Sequence, residues 1–247
     1  MVEITEYNSG EKIMKSKSLR DEVISDKIKD DCGLCKNSGC YYIVGTPGSG
    51  KSHLAESLFK KQFKNCFDAV FLVCPENSRS GYKNSYCQKM NPCRVYDELT
   101  FENLETIRDE VDDVNSEGDK KNPAFSALII DDCASDLRNK HTMKLLLKMC
   151  QNHRHNRLSI FIISQNLQML HKSLRDVMTV LIQFKTSSLK EVKAINEEFL
   201  PNLKPDEVMD VLGYIFKDKY SFLLINRRNN LICKNFNSLD IDTGRDF

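Results

Sequence analysis

Residues 45–52 read Gly-Thr-Pro-Gly-Ser-Gly-Lys-Ser, the pattern G-x-x-x-x-G-K-S without a mismatch. The octapeptide constrains the fold because it functions in one setting. It must leave a strand and open a helix, so that backbone N–H groups turn inward around a phosphate. Both flanks suit that setting. Cys40-Tyr41-Tyr42-Ile43-Val44 is a continuous apolar run and predicts a buried strand over 40–45. Leu54, Leu58 and Phe59 share one helical face, which predicts a helix over 52–63. Gly45, Thr46, Pro47, Gly48, Ser49, Gly50, Lys51, Ser52 and the adjoining His53 are the candidate nucleotide-binding residues. In this pattern Lys51 supplies a point charge to the β- and γ-phosphates of ATP, and the Ser52 hydroxyl is placed to ligate Mg²⁺.

The same rhythm continues along the chain. Further apolar runs lie at 69–74, 125–130, 158–164 and 178–184, with helical patterns at 100–114, 139–152 and 166–175 between them. Continuous apolar strands separated by amphipathic helices predict an α/β fold with a mostly parallel sheet flanked by helices. With the phosphate-loop motif, the expected class is a P-loop NTPase. Beyond residue 185 two helical stretches follow, at 189–199 and 205–216. Tyr220–Asn226 and Leu231–Asn235 then flank Arg227-Arg228-Asn229-Asn230 and predict a C-terminal β-hairpin. Residues 1–38 are charged and read as an N-terminal extension with a short helix near Leu19–Ile28, leaving 39–247 as one domain. Residues 76–93, rich in Asn, Ser, Gly, Tyr and Lys, read as a long surface loop, and the acidic run at 109–121 as a solvated helix end and turn.

Composition excludes several classes. A formal net charge of +1 removes any whole-molecule electrostatic argument for nucleic acid, so such a surface must be local. No apolar run approaches the roughly 18 residues that span a bilayer, and the charged N-terminus lacks a signal-peptide core. Membrane partners are not expected, and an intracellular location is. Ten cysteines without a secretion signal then imply reduced thiols. Cys32-x2-Cys35-x4-Cys40 lacks a fourth zinc ligand, and Cys40 opens a strand, so buried or loop thiols are the expectation.

Two further motifs carry chemistry. Ala127-Leu128-Ile129-Ile130-Asp131-Asp132 is an apolar strand ending in two acids. Its strand carries Asp131 to the carboxyl edge of the sheet, where it can hold Mg²⁺. Asp132 takes the position of a base that orients or deprotonates an attacking water, although Asp is one methylene shorter than the Glu found in many motor ATPases. The strand 158–164 ends at Gln165. If that strand lies between the first and third, the Gln165 amide can bond both phosphate and water; otherwise it is a surface or capping residue. Asn152-His153-Arg154-His155-Asn156-Arg157 admits two readings. It is either a basic helix C-terminus favoured by the macrodipole, or the source of an arginine that reaches a neighbouring subunit's nucleotide. Arg154 and Arg157 are the catalytic candidates there, with Arg175 a further one.

Taken together, Gly45–Ser52, Ile129-Ile130-Asp131-Asp132, the Arg154-His155 step and Ile163-Ser164-Gln165 resemble viral genome-packaging ATPases of the FtsK–HerA group, encoded by poxviruses, giant viruses and virophages. The resemblance covers roughly residues 38–185. It implies a P-loop core of the additional-strand type, with the five predicted strands in the order 5-1-4-3-2, in a homo-oligomeric ring, pentamer or hexamer, that hydrolyses ATP to push double-stranded DNA into a preformed capsid. Capsid or portal-site proteins are the implied partners, and the viral factory of the host cytoplasm or the virion the implied location. The absence of a long N-terminal coiled coil or membrane region favours the viral branch over cellular DNA pumps. By the resemblance Lys51 and Ser52 bind phosphate and Mg²⁺, Asp131 holds Mg²⁺, Asp132 takes the catalytic acid position and Gln165 the sensor position. Basic backbone contacts to DNA are expected from Lys83, Lys89, Arg94, Lys140, Lys144 and the Arg227-Arg228 turn. The alternatives are a nucleotide or small-molecule kinase, with 76–93 as a lid, and a non-motor ATPase that remodels a protein partner.

Overall fold

The structure, a computed structural model, describes residues 3–7, 34–35, 37–82, 90–118, 123–133 and 135–243. The predicted helix near Leu19–Ile28 lies outside these residues, as do Cys32, Lys83 and Lys89. The strands are β1 (Glu3–Tyr7), β2 (Cys40–Val44), β3 (Ala69–Val73), β4 (Val95–Tyr96) and β5 (Ser126–Asp131). They continue with β6 (Leu158–Ser164), β7 (Val180–Phe184), β8 (Phe222–Asn226), β9 (Leu231–Lys234) and β10 (Asn237–Asp242). The helices are α1 (Lys51–Ser57), α2 (Phe101–Glu117), α3 (Lys140–Gln151), α4 (Lys172–Val177), α5 (Leu189–Phe199) and α6 (Pro205–Ile215).

All ten strands join one sheet in the order β1-β10-β9-β8-β7-β2-β6-β5-β3-β4. Its centre, β7-β2-β6-β5-β3, is parallel and is the order 5-1-4-3-2 expected from the sequence. The C-terminal hairpin is present as β8 and β9, joined antiparallel to β7. Three strands extend the sheet beyond the expectation. β4 borders β3, while β10 follows β9 and pairs with β1, the far edge, which comes from the segment read as an extension.

Alternation along the central strands builds two cores. Tyr42, Val44, Leu128, Ile130, Ile160 and Ile162 pack with buried residues of α2, α3, α5 and α6. Tyr41, Ile43, Ala127, Ile129, Phe161 and Ile163 pack on the other face with α1 and its continuation. Helices cover both faces, so the central strands are buried throughout and mostly apolar.

Two expected helices take a different form. The helix at 52–63 is α-helical only to Ser57 and continues as a π-turn over Leu58–Gln62. The wider turn lets Phe59 and Phe63 both meet Phe161, at ring separations of 4.9 and 5.4 Å. The helix expected at 166–175 is a 3-10 turn over Leu167–Met169 followed by α4. Each piece has its own cap: Asn166 Oδ1 accepts from the Gln168 amide at 2.8 Å, and His171 Nδ1 from the Ser173 amide at 3.3 Å. No described helix is long and apolar enough to cross a membrane.

Candidate functional site

The phosphate-loop pattern folds as its residue types require. Gly48 and Gly50 have φ of +78° and +102°, a region that disfavours other residues. Gly50 caps α1, and its carbonyl accepts from Leu54 N at 2.8 Å. Ser49 N donates to Thr46 O at 3.1 Å, closing the turn, and the Lys51 ammonium donates to the same carbonyl at 3.1 Å. The Ser49 hydroxyl is buried with no hydrogen-bond partner among the described residues, its oxygen turned towards Gly45. Burial lowers the Lys51 pKa below its ordinary value, opposed by the negative charges of Asp131 and Asp132.

Strand order brings the other motifs to this loop. β6 lies between β2 and β5, with Val44 opposite Ser164 and Ile163 opposite Asp131. Gly45 N donates to Ser164 O at 3.2 Å, so the loop leaves the sheet beside Gln165. Asp131 is buried at the end of β5, and Asp132 is exposed with φ of 58°. Gln165 Nε2 donates to Asp132 Oδ1 at 3.1 Å. The stretch after β6 is held from within. The Tyr42 hydroxyl lies 2.8 Å from Ser164 Oγ and donates towards the Asn166 and Leu167 carbonyls at 3.0 Å, while the buried Glu191 carboxylate accepts from Leu167 N at 2.7 Å. Gln165 is thereby seated on a rigid edge.

Ser52 and Asp131 offer a hydroxyl and a carboxylate, the hard oxygen donors that Mg²⁺ prefers. A cleft of about 630 Å³ runs from Gly48–Leu54 to Phe184, Tyr220 and Phe222, and includes the exposed His53. A second cleft of about 560 Å³ lies across Tyr220, between Thr46–Ser49 and residues 216–221. Tyr220 stands between them, 59% exposed and with φ of 65°. Sequence reasoning missed it, placing it at the start of a strand. Its only linear signal is an aromatic residue after Lys217-Asp218-Lys219, which does not reveal that it lies beside residue 50.

The arginines sit elsewhere. Arg154 and Arg157 precede β6, at the amino edge of the sheet, opposite the phosphate loop; within one subunit they do not join the site. Arg157 donates to Asn115 O at 2.9 Å, and its own carbonyl accepts from Ser126 N at 3.0 Å. Arg175, a candidate for action in trans, is buried and forms a bidentate pair with Glu198 at 2.6 and 2.7 Å, so it is committed within the subunit.

The Arg227-Arg228 turn, a DNA-contact candidate, is engaged within its own chain. Arg227 donates to Arg175 O and Asp176 O at 2.9 and 3.1 Å and packs over Phe199. Arg228 donates to Asn37 Oδ1, to Ser38 O at 3.3 Å and lies 3.3 Å from His153 Nε2. Both guanidiniums satisfy groups of their own chain. Arg94 is paired with Glu110 at 2.6 Å, whereas Lys140 and Lys144 are exposed on α3. Cys35 and Cys40 are buried, and burial raises the Cys35 pKa, as suits inert thiols.

The family model for the poxvirus A32 protein matches residues 33–234. No curated protein matches the chain. Among solved structures, the DNA-packaging ATPase B204 of Sulfolobus turreted icosahedral virus aligns with a TM-score of 0.61 at 18% identity, over 81% of this chain and 98% of that one. The genome-packaging NTPase B204 of Sulfolobus turreted icosahedral virus 2, in complex with AMP, gives 0.59 at 17% identity, over 80% and 96%. The pCW3 conjugation coupling protein TcpA with ATPγS gives 0.59 at 13% identity, over 89% and 70%. At these identities the structures establish a shared fold.

Proposed function

Because the chain belongs to the poxvirus A32 protein family, we propose that it is an ATP hydrolase whose turnover drives double-stranded DNA into a viral capsid. One observation carries the hydrolytic reading: the strand order places Gly45–Ser52, Asp131, Asp132 and Gln165 on a single sheet edge, with Asp132 and Gln165 bonded to each other. Lys51 neutralises charge on the β- and γ-phosphates. Ser52 and Asp131 would hold Mg²⁺, which when bound adds to that neutralisation. Asp132 accepts a proton from the attacking water, and Gln165 orients that water. An acid–amide pair at this edge suits water as the acceptor, which favours a hydrolase over a kinase. The purine lies against Tyr220, whose exposed ring offers a stacking face beside the loop.

The packaging reading is supported by the family and by the fold shared with B204, itself described as a packaging NTPase. Assembly into a homo-oligomeric ring would bring a neighbour's cation to the γ-phosphate, and Arg154, exposed at the opposite edge, is the arginine best placed to face another subunit. Lys140 and Lys144 are the described lysines proposed to meet the DNA backbone. Capsid proteins, in the viral factory or virion, complete the proposal.

The test is ATP turnover of the wild-type chain and Lys51→Ala, with and without double-stranded DNA, over a range of salt. Stimulation by DNA that fades as salt rises is expected, with no turnover from the variant. Unchanged turnover in Lys51→Ala overturns the hydrolase reading. Absence of stimulation at every DNA length overturns the packaging one.

A further inference from the structure

The segment after β3, expected to be surface loop, opens with a 3-10 turn over Glu76–Tyr82. One of its hydroxyls reaches the catalytic edge: Ser78 Oγ donates to Asp132 Oδ2 at 2.9 Å. With Gln165 Nε2 on Oδ1 at 3.1 Å, both oxygens of this carboxylate are held, by donors from two different elements. The turn is itself anchored. Ser78 N donates to Pro75 O at 2.9 Å, Arg79 Nε to Cys74 O at 2.9 Å, and the Arg79 guanidinium pairs with Asp97 beyond β4. The position of the Ser78 hydroxyl is therefore set by its neighbours.

We propose that Ser78 is a positioning residue for ATP hydrolysis, fixing the Asp132 carboxylate so that an open lone pair faces the attacking water. The proposal rests on the reading of Asp132 as the base. Asp132 follows the last residue of β5 in a left-handed conformation, and its backbone amide makes only a long bond of 3.4 Å to Ile163 O. Its main chain thus does little to set the carboxylate's direction. A carboxylate offers about four acceptor sites, so two donors leave a lone pair open on each oxygen while stopping rotation of the group. In the step itself a proton passes from water to Asp132. The water oxygen bonds to the γ-phosphorus and the bond to the β–γ bridging oxygen breaks, releasing ADP and phosphate. Ser78 keeps its proton throughout.

The experiment is steady-state ATP turnover of the full chain carrying Ser78→Ala, Ser78→Cys, Ser78→Thr, Asp132→Asn, or Ser78→Ala with Asp132→Asn, beside wild type and Lys51→Ala. Loss of a hydrogen bond to a charged group predicts a fall in kcat of roughly 10- to 100-fold for Ser78→Ala and Ser78→Cys, with KM for ATP unchanged. Ser78→Thr, which keeps the hydroxyl, restores turnover. The double variant matches Asp132→Asn alone, because Ser78 acts only through that carboxylate. Wild-type kcat in both Ser78→Ala and Ser78→Cys overturns the proposal, and so does a double variant in which the two losses multiply. A wild-type chain without Lys51-dependent turnover overturns the hydrolase reading beneath it, which separates the two failures.

Discussion

Gly45→Ala tests how tightly the phosphate loop is docked on the sheet. Gly45 does not need a left-handed backbone; it needs the space a side chain would take. A β-carbon there would lie 2.6 Å from Ser49 Oγ and 2.7 Å from Phe184 Cβ. The serine hydroxyl can rotate away. The Phe184 β-carbon cannot, because it sits on β7, paired on both sides, with its ring 2% exposed and packed 5.4 Å from Phe222. The contact falls roughly 0.8 Å short of ordinary carbon–carbon separation, so the loop must lift off the sheet. Overpacking of this kind costs about 1–3 kcal/mol, equivalent to a fall in Tm of roughly 2–12 °C in a domain of this size. A phosphate cradle displaced by this much loses on the order of 100-fold in kcat/KM. Gly48→Ala is the comparison for stability alone. Its φ of +78° strains any side chain but no described atom lies within 4 Å, so a backbone cost of about 1 kcal/mol is expected in Tm. Its turnover is not a control, because Gly48 lines the clefts beside the loop. Thermal unfolding and ATP turnover are measured on both variants. Wild-type Tm and kcat/KM in Gly45→Ala would refute the reasoning. Full rescue of Gly45→Ala by adding Ser49→Ala would show that the serine, not Phe184, is the obstacle.

Other substitutions separate structural from functional side chains. Arg228→Ala should lower stability by about 2 kcal/mol, since its partners Asn37 and Ser38 lose a charged donor, and leave DNA affinity and its salt dependence unchanged; a DNA-binding defect at unaltered Tm contradicts this. Tyr220→Ala should raise KM for ATP about tenfold through lost base stacking while inorganic triphosphate inhibits as well as before; equal loss of both ligands would place Tyr220 at the phosphates. The Arg175 guanidinium holds the Glu198 carboxyl below its ordinary value of 4.5, so this pair's stabilisation is whole above that pH and is lost as pH falls through the depressed value. Glu198→Gln should therefore flatten the acid limb of Tm against pH, at a cost near neutrality of about 1–3 kcal/mol, discounted for the partial exposure of the pair; an acid limb as steep as wild type removes Glu198 from the account.

Legibility in the sequence followed the range of the interactions involved. The P-loop pattern, the acid-tipped strand at 126–131 and the run ending at Gln165 are local signals: alternating or continuous apolar residues that end in a polar group. Each element was identifiable where burial on both faces demands it. The π-turn at Leu58–Gln62 has no local signal, and the ring that Phe59 meets through it, Phe161, lies far along the chain. β4 is two residues long, and β1 and β10 alternate like solvent-facing chain, so their pairing depends on each other. The arginines were hard to read for a related reason. A cluster of positive charge reads as a binding surface, but Arg175, Arg227 and Arg228 also bond to carbonyls, a side-chain amide and a carboxylate of their own chain, supplied largely by distant segments.

Legible along the chain were the strand–loop–helix unit around the phosphate loop, five apolar strands of a parallel sheet, and Lys51, Ser52, Asp131, Asp132 and Gln165 as candidate site residues. Those are carried by short-range patterning and by side chains whose chemistry is the same wherever they fold. Which of these groups touch became visible in the folded sheet. The place of β6 between β2 and β5 was expected, but not the bond of Gln165 to Asp132 that follows from it, nor the anchored turn after β3 that brings Ser78 to the same carboxylate, nor the approach to β8 that lays Tyr220 beside Gly50. No local propensity encodes these contacts, because each joins segments far apart in the chain and exists only once the sheet has ordered its strands.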